Sequence, residues 1–383
     1  MGTSKKYIII SGFDIHDNNR GSAALGYGSI AFLYERGYLI KGQSLVNFRI
    51  YKNPLKKINR TNINETVKSG DIIWTHYVIC VSILEVFLLK SLGIFLPFSK
   101  FRRIIKNTEL VAAINGGDGF SDIYNTPTFL GRLPETRIAM SAGLPLIILP
   151  QTLGPFKDEQ NKRIAMRILK YAANVFVRDE RYNEELKRQN IEFELTKDLS
   201  YYMKPEPWSI NLAINAIGIN VSGLAYSNRF RALAGQFTLY PKLIQQLIEH
   251  FREKGYIVYL IPHSYNYFHP ATDNDDIIAC RKAYESLENK GNVFIIDKNL
   301  TSPQLKYVIS KMSLFIGTRM HANFAAIYTG VPVFGLAYSY KFRGAFDANG
   351  LDGENQTAMI NNISESDIKS VISKIDRFWN AIK

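Results

Sequence analysis

Cysteine is scarce in this chain. There are two in 383 residues, Cys80 and Cys280, and neither sits in a C-x-x-C or other metal spacing. That excludes a disulfide scaffold and a zinc ribbon. Each reads as a small buried hydrophobe, which fits a reducing, cytoplasmic setting. No H-E-x-x-H, G-x-S-x-G or G-x-x-x-x-G-K-[ST] occurs, so neither a zincin nor a hydrolase elbow nor a P-loop is expected. Gly26-Tyr27-Gly28 followed by Ala31 imitates a dinucleotide fingerprint, but it lies too far beyond the first strand. No cofactor and no metal are expected. Nucleic acid is not expected as a partner either, because dense Arg/Lys tracts and aromatic RNP-like motifs are both missing. The N-terminal run before Ser11-Gly12 is too short for a signal peptide. One long apolar stretch exists, Tyr77 to Phe98, and Glu85 and Lys90 interrupt it. A span needs about 20 predominantly apolar residues, so this segment reads as a buried or surface-docked helix, with peripheral membrane contact as the alternative.

What is present suits a large folded chain. Apolar residues make up 46% and charged residues 21%, enough to fill two cores. The net charge of +13 points to anionic partners. Short β-rich runs alternate with helical patterns: strands at Tyr7–Gly12, Val46–Tyr51, Asp71–Thr75, Leu110–Ile114, Leu146–Leu149 and Val175–Val177, and a helix over Ser22–Arg36. Pro205, Pro207 and Asn211 punctuate a boundary, giving domains 1–205 and 206–383. The second half repeats the pattern. Strands are expected at Ile217–Val221, Tyr256–Ile261, Val293–Ile296, Leu314–Gly317 and Val331–Leu336. Helices are expected over Asp273–Lys290, from a Ser302 cap onward, and over Met320–Tyr328. This alternation predicts an α/β protein of two Rossmann-like domains facing a cleft, with parallel sheets whose ligands sit at strand exits.

Strand exits therefore hold the candidate residues. Gly317-Thr318-Arg319-Met320-His321-Ala322 joins a strand to a helix start, where free N–H groups favour an anion. Arg319 adds a fixed positive fork and His321 can exchange a proton near neutral pH. Both reach one ligand only if Arg319 precedes the helix proper. Gly116-Gly117-Asp118-Gly119 permits close backbone approach, with an ordinary turn capped by Asp118 as the alternative. Arg178 is a second anion clamp or a surface ion pair with Asp179. His263 lines a ligand site or packs among Tyr265, Tyr267 and His269. His16 reads as a loop residue, His76 and His250 as structural. Asp273-Asn274-Asp275-Asp276 reads as an acidic helix start rather than a metal motif.

In this order the blocks resemble the polysaccharide pyruvyl transferase family. Thr318-Arg319-Met320-His321-Ala322 continues through Gly330-Val331-Pro332-Val333 to Tyr338 and Lys341. Leu149-Pro150-Gln151-Thr152-Leu153-Gly154-Pro155 matches the P-Q-x-x-G-P block, Val177-Arg178-Asp179 its R-D, and Asp198 the acidic position that follows. Two blocks depart: Asp118 replaces the third glycine of G-G-G, and Asn19-Arg20-Gly21-Ser22 replaces N-x-G-D. The resemblance implies a GT-B-like fold and transfer of the enolpyruvyl group of phosphoenolpyruvate to a sugar, as a ketal, with phosphate released. It implies an acceptor side in the first domain and a donor side in the second. The acceptor would be a surface polysaccharide (exopolysaccharide or capsule) or its precursor, the latter carried as a polyprenyl-diphosphate-linked oligosaccharide at the inner face of the membrane. Implied substrate contacts are Arg319, Arg178, Thr318, Met320, Gly116, Gly117, Gln151, Tyr338 and Lys341. Implied proton-transfer groups are His321, Asp118 and His263. The rival readings are a nucleotide-sugar glycosyltransferase on the same fold and a non-catalytic carbohydrate-binding or assembly protein.

Overall fold

The computed structural model describes residues 6–52 and 63–383. It divides into two compact units. The first comprises Met1–Asp14 and Leu25–Met203; the second comprises Ile15–Ala24 and Lys204–Lys383. The short segment Ile15–Ala24 therefore counts with the second unit, which consecutive halves would not suggest.

The first unit is built on an eight-stranded sheet. Its strands are β1 (Tyr7–Ser11), β2 (Ser44–Tyr51), β3 (Ile63–Ser69), β4 (Ile72–Ser82), β5 (Thr108–Ala113), β6 (Leu146–Gln151), β7 (Asn174–Val177) and β8 (Glu194–Leu195), in the order β3-β4-β2-β1-β5-β6-β7-β8. All pairs are parallel except β3 with β4, a hairpin closed at Gly70, whose φ is 61°. Ile8, Ile9 and Ile10 are wholly buried, as a strand covered on both faces requires. The chain leaves β1 towards β2 and resumes at β5 on its other side. The exits of β1 and β5 thus form a topological switch point, where open α/β sheets bind ligands.

The apolar segment 77–98 does not form a single helix. Its first residues belong to β4, which runs to Ser82 between β2 and β3. Helix Ile83–Leu92 follows, capped by the Ser82 side chain and closed by Gly93 in the left-handed region. Val, Ile and Tyr before Ser82 favour the strand, and the capping serine resets the chain into a helix.

The second unit carries a six-stranded, all-parallel sheet. Its strands are β9 (Ala216–Asn220), β10 (Ile257–Leu260), β11 (Val293–Ile295), β12 (Leu314–Gly317), β13 (Val333–Ala337) and β14 (Thr357–Met359), ordered β11-β10-β9-β12-β13-β14. Ile217 and Ile219 pack into one core with Leu243, Leu247 and Phe251 of helix Tyr240–Glu253. Ala216 and Ile261 face a second core with Leu305, Val308 and Ile309. The switch point here lies between β9 and β12. Two helix starts differ from expectation. The helix expected over Asp273–Lys290 runs only Asp276–Glu285, because the Asp275 side chain caps it by accepting from Ile277 N–H. Helix Ser302–Ile309 is capped by Thr301 in a reciprocal pair with Gln304, not by Ser302.

Candidate functional site

In the second unit, β12 ends at Gly317 on the switch point. The Thr318 side chain is fully buried, its hydroxyl 2.8 Å from the Tyr240 hydroxyl. Arg319 is extended (φ −92°, ψ 132°) and is the N-cap of helix Met320–Ile327, so it does precede the helix proper. Its N–H donates to Asn220 Oδ1 at 2.8 Å. Its guanidinium is held along one edge. Nε and Nη2 donate to Asp276 Oδ1 at 3.1 and 2.6 Å, and Nη2 also to Asn274 Oδ1 at 2.8 Å. Nη1 makes no hydrogen bond among the described residues. Burial disfavours the Arg319 charge, but Asp276 more than offsets this and raises its pKa. Asp276 is wholly buried and also accepts from the backbone N–H groups of Gly223, His263 and Ser264. One carboxylate thereby ties together β9, the exit of β10 and Arg319.

His263 is buried at the exit of β10. Its pKa is pushed well below the ordinary imidazole value, first by burial and then by His321, Arg319 and Arg20. It is a neutral imidazole at neutral pH. Arg20 is nearly buried and fully committed. Nε donates to Leu300 O, Nη1 to Asp17 O and Nη2 to Asn299 Oδ1, and the guanidinium lies 4.6 Å over the Tyr265 ring. Beside it, a Cβ at Gly21 would stand 2.7 Å from His321 Nδ1, so only glycine lets the imidazole sit against this backbone. His263, Arg319 and His321 thus come together, with Arg20 added. Tyr338 is half-buried and near enough to Arg319 to favour its charge. Met320 packs on the core, and Lys341 is exposed.

In the first unit, the exit of β5 is the glycine turn. Gly116 and Gly117 have φ of 76° and 84°. A Cβ at Gly117 would lie 3.1 Å from Arg178 Nη1, and one at Gly119 would overlap Arg132. Gln151 is wholly buried; it accepts from Asn115 N–H at 2.9 Å and donates to Ala113 O at 3.1 Å, so it braces the turn from within. Arg178 donates from Nε to Thr152 Oγ1 at 3.0 Å and from Nη1 to Asp198 Oδ2 at 2.6 Å. Burial opposes its charge, and Asp198, Asp179 and Asp118 together more than restore it. Asp118 is half-buried and accepts from the Tyr124 hydroxyl at 2.9 Å. Arg178 is therefore the hub of a buried carboxylate network rather than a surface ion pair with Asp179 alone.

Sequence reasoning did not single out Asn220, Asn274, Asp276 or Arg20. The acidic run 273–276 carried a signal, but it was absorbed by the helix-start reading, which is right for Asp275 alone.

Two Rossmann-like sheets, each with polar side chains gathered at its switch point, make this a GT-B-class protein. The same fold occurs in a UDP-GlcNAc 2-epimerase from Methanocaldococcus jannaschii (TM-score 0.56, 12% identity, covering 98% of this chain and 93% of that one). It recurs in a putative UDP-N-acetylglucosamine 2-epimerase from Listeria monocytogenes (0.52, 12%, 98% and 89%) and in UDP-GlcNAc 2-epimerase from Neisseria meningitidis (0.50, 12%, 98% and 93%). At this identity the likeness speaks for the fold alone. The sequence model of polysaccharide pyruvyl transferases matches residues 19–340. The chain belongs to the polysaccharide pyruvyl transferase family, whose members are transferases of polysaccharide biosynthesis.

Proposed function

We propose that this protein moves the enolpyruvyl group of phosphoenolpyruvate onto a sugar diol of a surface polysaccharide or its lipid-linked precursor. The product is a pyruvate ketal. The observation that carries this reading is the Arg319 guanidinium, fixed at the β9/β12 switch point with Nη1 unspent. There the two guanidinium groups of Arg319 and Arg20 outweigh a single buried carboxylate, Asp276. At the β5 exit the balance is reversed, with Asp118, Asp179 and Asp198 around Arg178. A small, dense anion fits the first environment and a hydroxyl-rich sugar the second. The second unit is thus the donor side and the first the acceptor side.

In this scheme Arg319 and the N–H groups opening helix Met320–Ile327 hold the donor phosphate and carboxylate. His321 delivers a proton to the methylene carbon, which becomes the methyl group and leaves an oxocarbenium-like centre at C2. One sugar hydroxyl adds to C2, the C2–O bond to phosphate breaks, and the second hydroxyl closes the ketal. Of the two hydroxyl protons, one replaces the proton lost by His321 and the other leaves with phosphate. Burial and the neighbouring cations keep His263 neutral, which suits it to hydrogen-bond the donor rather than to hold a proton, and Asp118 is the acceptor-side base.

The test is thermal stability of the wild type and Arg319→Lys with phosphoenolpyruvate, and separately with nucleotide diphosphates. A ligand at ~100 times its Kd adds about 2.7 kcal/mol to the folded state. Stabilisation by phosphoenolpyruvate, lost in Arg319→Lys, supports the reading, since lysine cannot reproduce the fork. Stabilisation by a nucleotide diphosphate alone would replace it with nucleotide-sugar glycosyl transfer.

A further inference from the structure

We infer that the first unit docks on an anionic lipid bilayer through the apolar edge that runs from Ile83 to Phe98. This names the surface behind the lipid-linked acceptor and rests on that part of the proposed function, not on the donor chemistry.

Helix Ile83–Leu92 buries only Val86 and Leu89 and packs against helix Pro134–Ala142. Leu88 is half-buried, and its remaining apolar side chains face outward. Ile83, Leu84, Phe87 (58% exposed), Leu92 (62%), Ile94 and Phe98 (95%) follow one another along the helix and the turn after Gly93. Single exposed hydrophobics are ordinary; with Leu96 these make seven within sixteen consecutive residues, which mark an interaction surface.

The rim decides the partner. Ser99 caps a second helix, Lys100–Lys106, which buries Phe101, Ile104 and Ile105. Lys100, Arg103 and Lys106 recur every three residues on its exposed side. Lys90 is exposed on the first helix, and its charge is disfavoured first by partial desolvation and then by nearby Arg137. An apolar helix face with phenylalanine and leucine, bordered by lysine and arginine, has the composition of an interfacial helix, which enters the headgroup region by about 5–10 Å. No helix among the described residues is long and apolar enough to cross a membrane. A second copy of the chain suits this face less well. A two-fold interface sets the same patch against itself, so one positively charged rim would face another. A bilayer with anionic headgroups attracts every one of them.

The experiment is co-sedimentation of the full-length protein with phosphatidylcholine vesicles, with and without phosphatidylglycerol. The protein should pellet with the anionic vesicles. Phe87→Ser with Phe98→Ser should weaken partitioning by roughly tenfold or more. Lys100→Glu with Arg103→Glu should weaken it by about fivefold per cation removed. Both variants should keep the wild-type melting temperature and response to phosphoenolpyruvate, because the residues are exposed and distant in sequence from Arg319. Equal pelleting of wild type and variants, or none, overturns the inference. So does a lipid-free dimer that the phenylalanine variant dissociates, which would assign the face to a second copy. Loss of the phosphoenolpyruvate response in the wild type would sink the donor chemistry and leave vesicle binding standing.

Discussion

Arg319 is gripped along one edge, and Asp276 is the grip. The carboxylate neutralises a buried guanidinium and at the same time satisfies three backbone N–H groups. Replacing it with asparagine leaves the arginine charge uncompensated in a buried place. Asp276→Asn should therefore cost about 3–5 kcal/mol in denaturant unfolding. Neighbouring Asp275→Asn keeps an oxygen to cap its helix and loses only the acceptor for Asn266 and Ala271 N–H, with no buried cation left unpaired, so it should cost less, about 1–3 kcal/mol. Equal losses would show that Asp276 is only a second cap. These two carboxylates also mark the limit of what could be read at this scale. Arg319 and His321 were legible because a strand exit followed by Arg-x-His has a chemical meaning by itself. Asp276 was not, because an acidic run before a helix looks the same whether a carboxylate turns to the helix N–H groups or inward to an arginine 43 residues away. Arg20 was hidden similarly: its partners lie at Leu300 and Asn299, and local spacing says nothing of them.

Elements were most legible where burial imposes a clean pattern. The parallel strands β1, β5, β9, β10 and β12 read as short apolar runs. Strand β3 was not legible: it is an edge strand whose polar residues shield it, and its pairing with β4 supplies the order its own composition does not. The same pairing made β4 longer than expected and took the first part of the apolar segment. Helix Pro134–Ala142 gives a pH test at this scale. Glu135 in its first turn is only 9% exposed, and burial raises its pKa from 4.5 to about 7. The folded state then keeps a proton that the unfolded chain has already lost. Stability contributed by the neutral acid is complete below pH 4.5 and is lost as pH rises through about 7. Glu135→Gln, which never ionises, should match the wild type near pH 4 and exceed it by on the order of 2–3 kcal/mol at pH 8. A difference independent of pH would mean that Glu135 does not titrate in this way.

For the whole molecule, the instructive feature is that the second unit is not contiguous. Segment Ile15–Ala24 belongs with Lys204–Lys383, so a cut near the proline-punctuated boundary separates the unit from one of its own pieces. That piece is bonded throughout. Arg20 N–H donates to His263 O and Tyr265 N–H to Asn18 O, Arg20 reaches Leu300 O and Asn299 Oδ1, and Ser302 donates to Arg20 O. At about 1 kcal/mol each, these bonds amount to something on the order of 5 kcal/mol, comparable with the stability of a small domain. A fragment of residues 204–383 should therefore melt well below the full chain, or not fold at all. A synthetic peptide carrying Ile15–Ala24 should raise its melting temperature, and the same peptide with Arg20→Ala should do so much less. The peptide should also lower the pKa of His263, followed by its imidazole NMR signals, because Arg20 is one of the groups that hold that histidine neutral. A fragment as stable without the peptide as with it would make the segment a passenger. A gain in stability without the pKa change would confine its role to packing, and Arg20 would then have no part in setting the charge around His263.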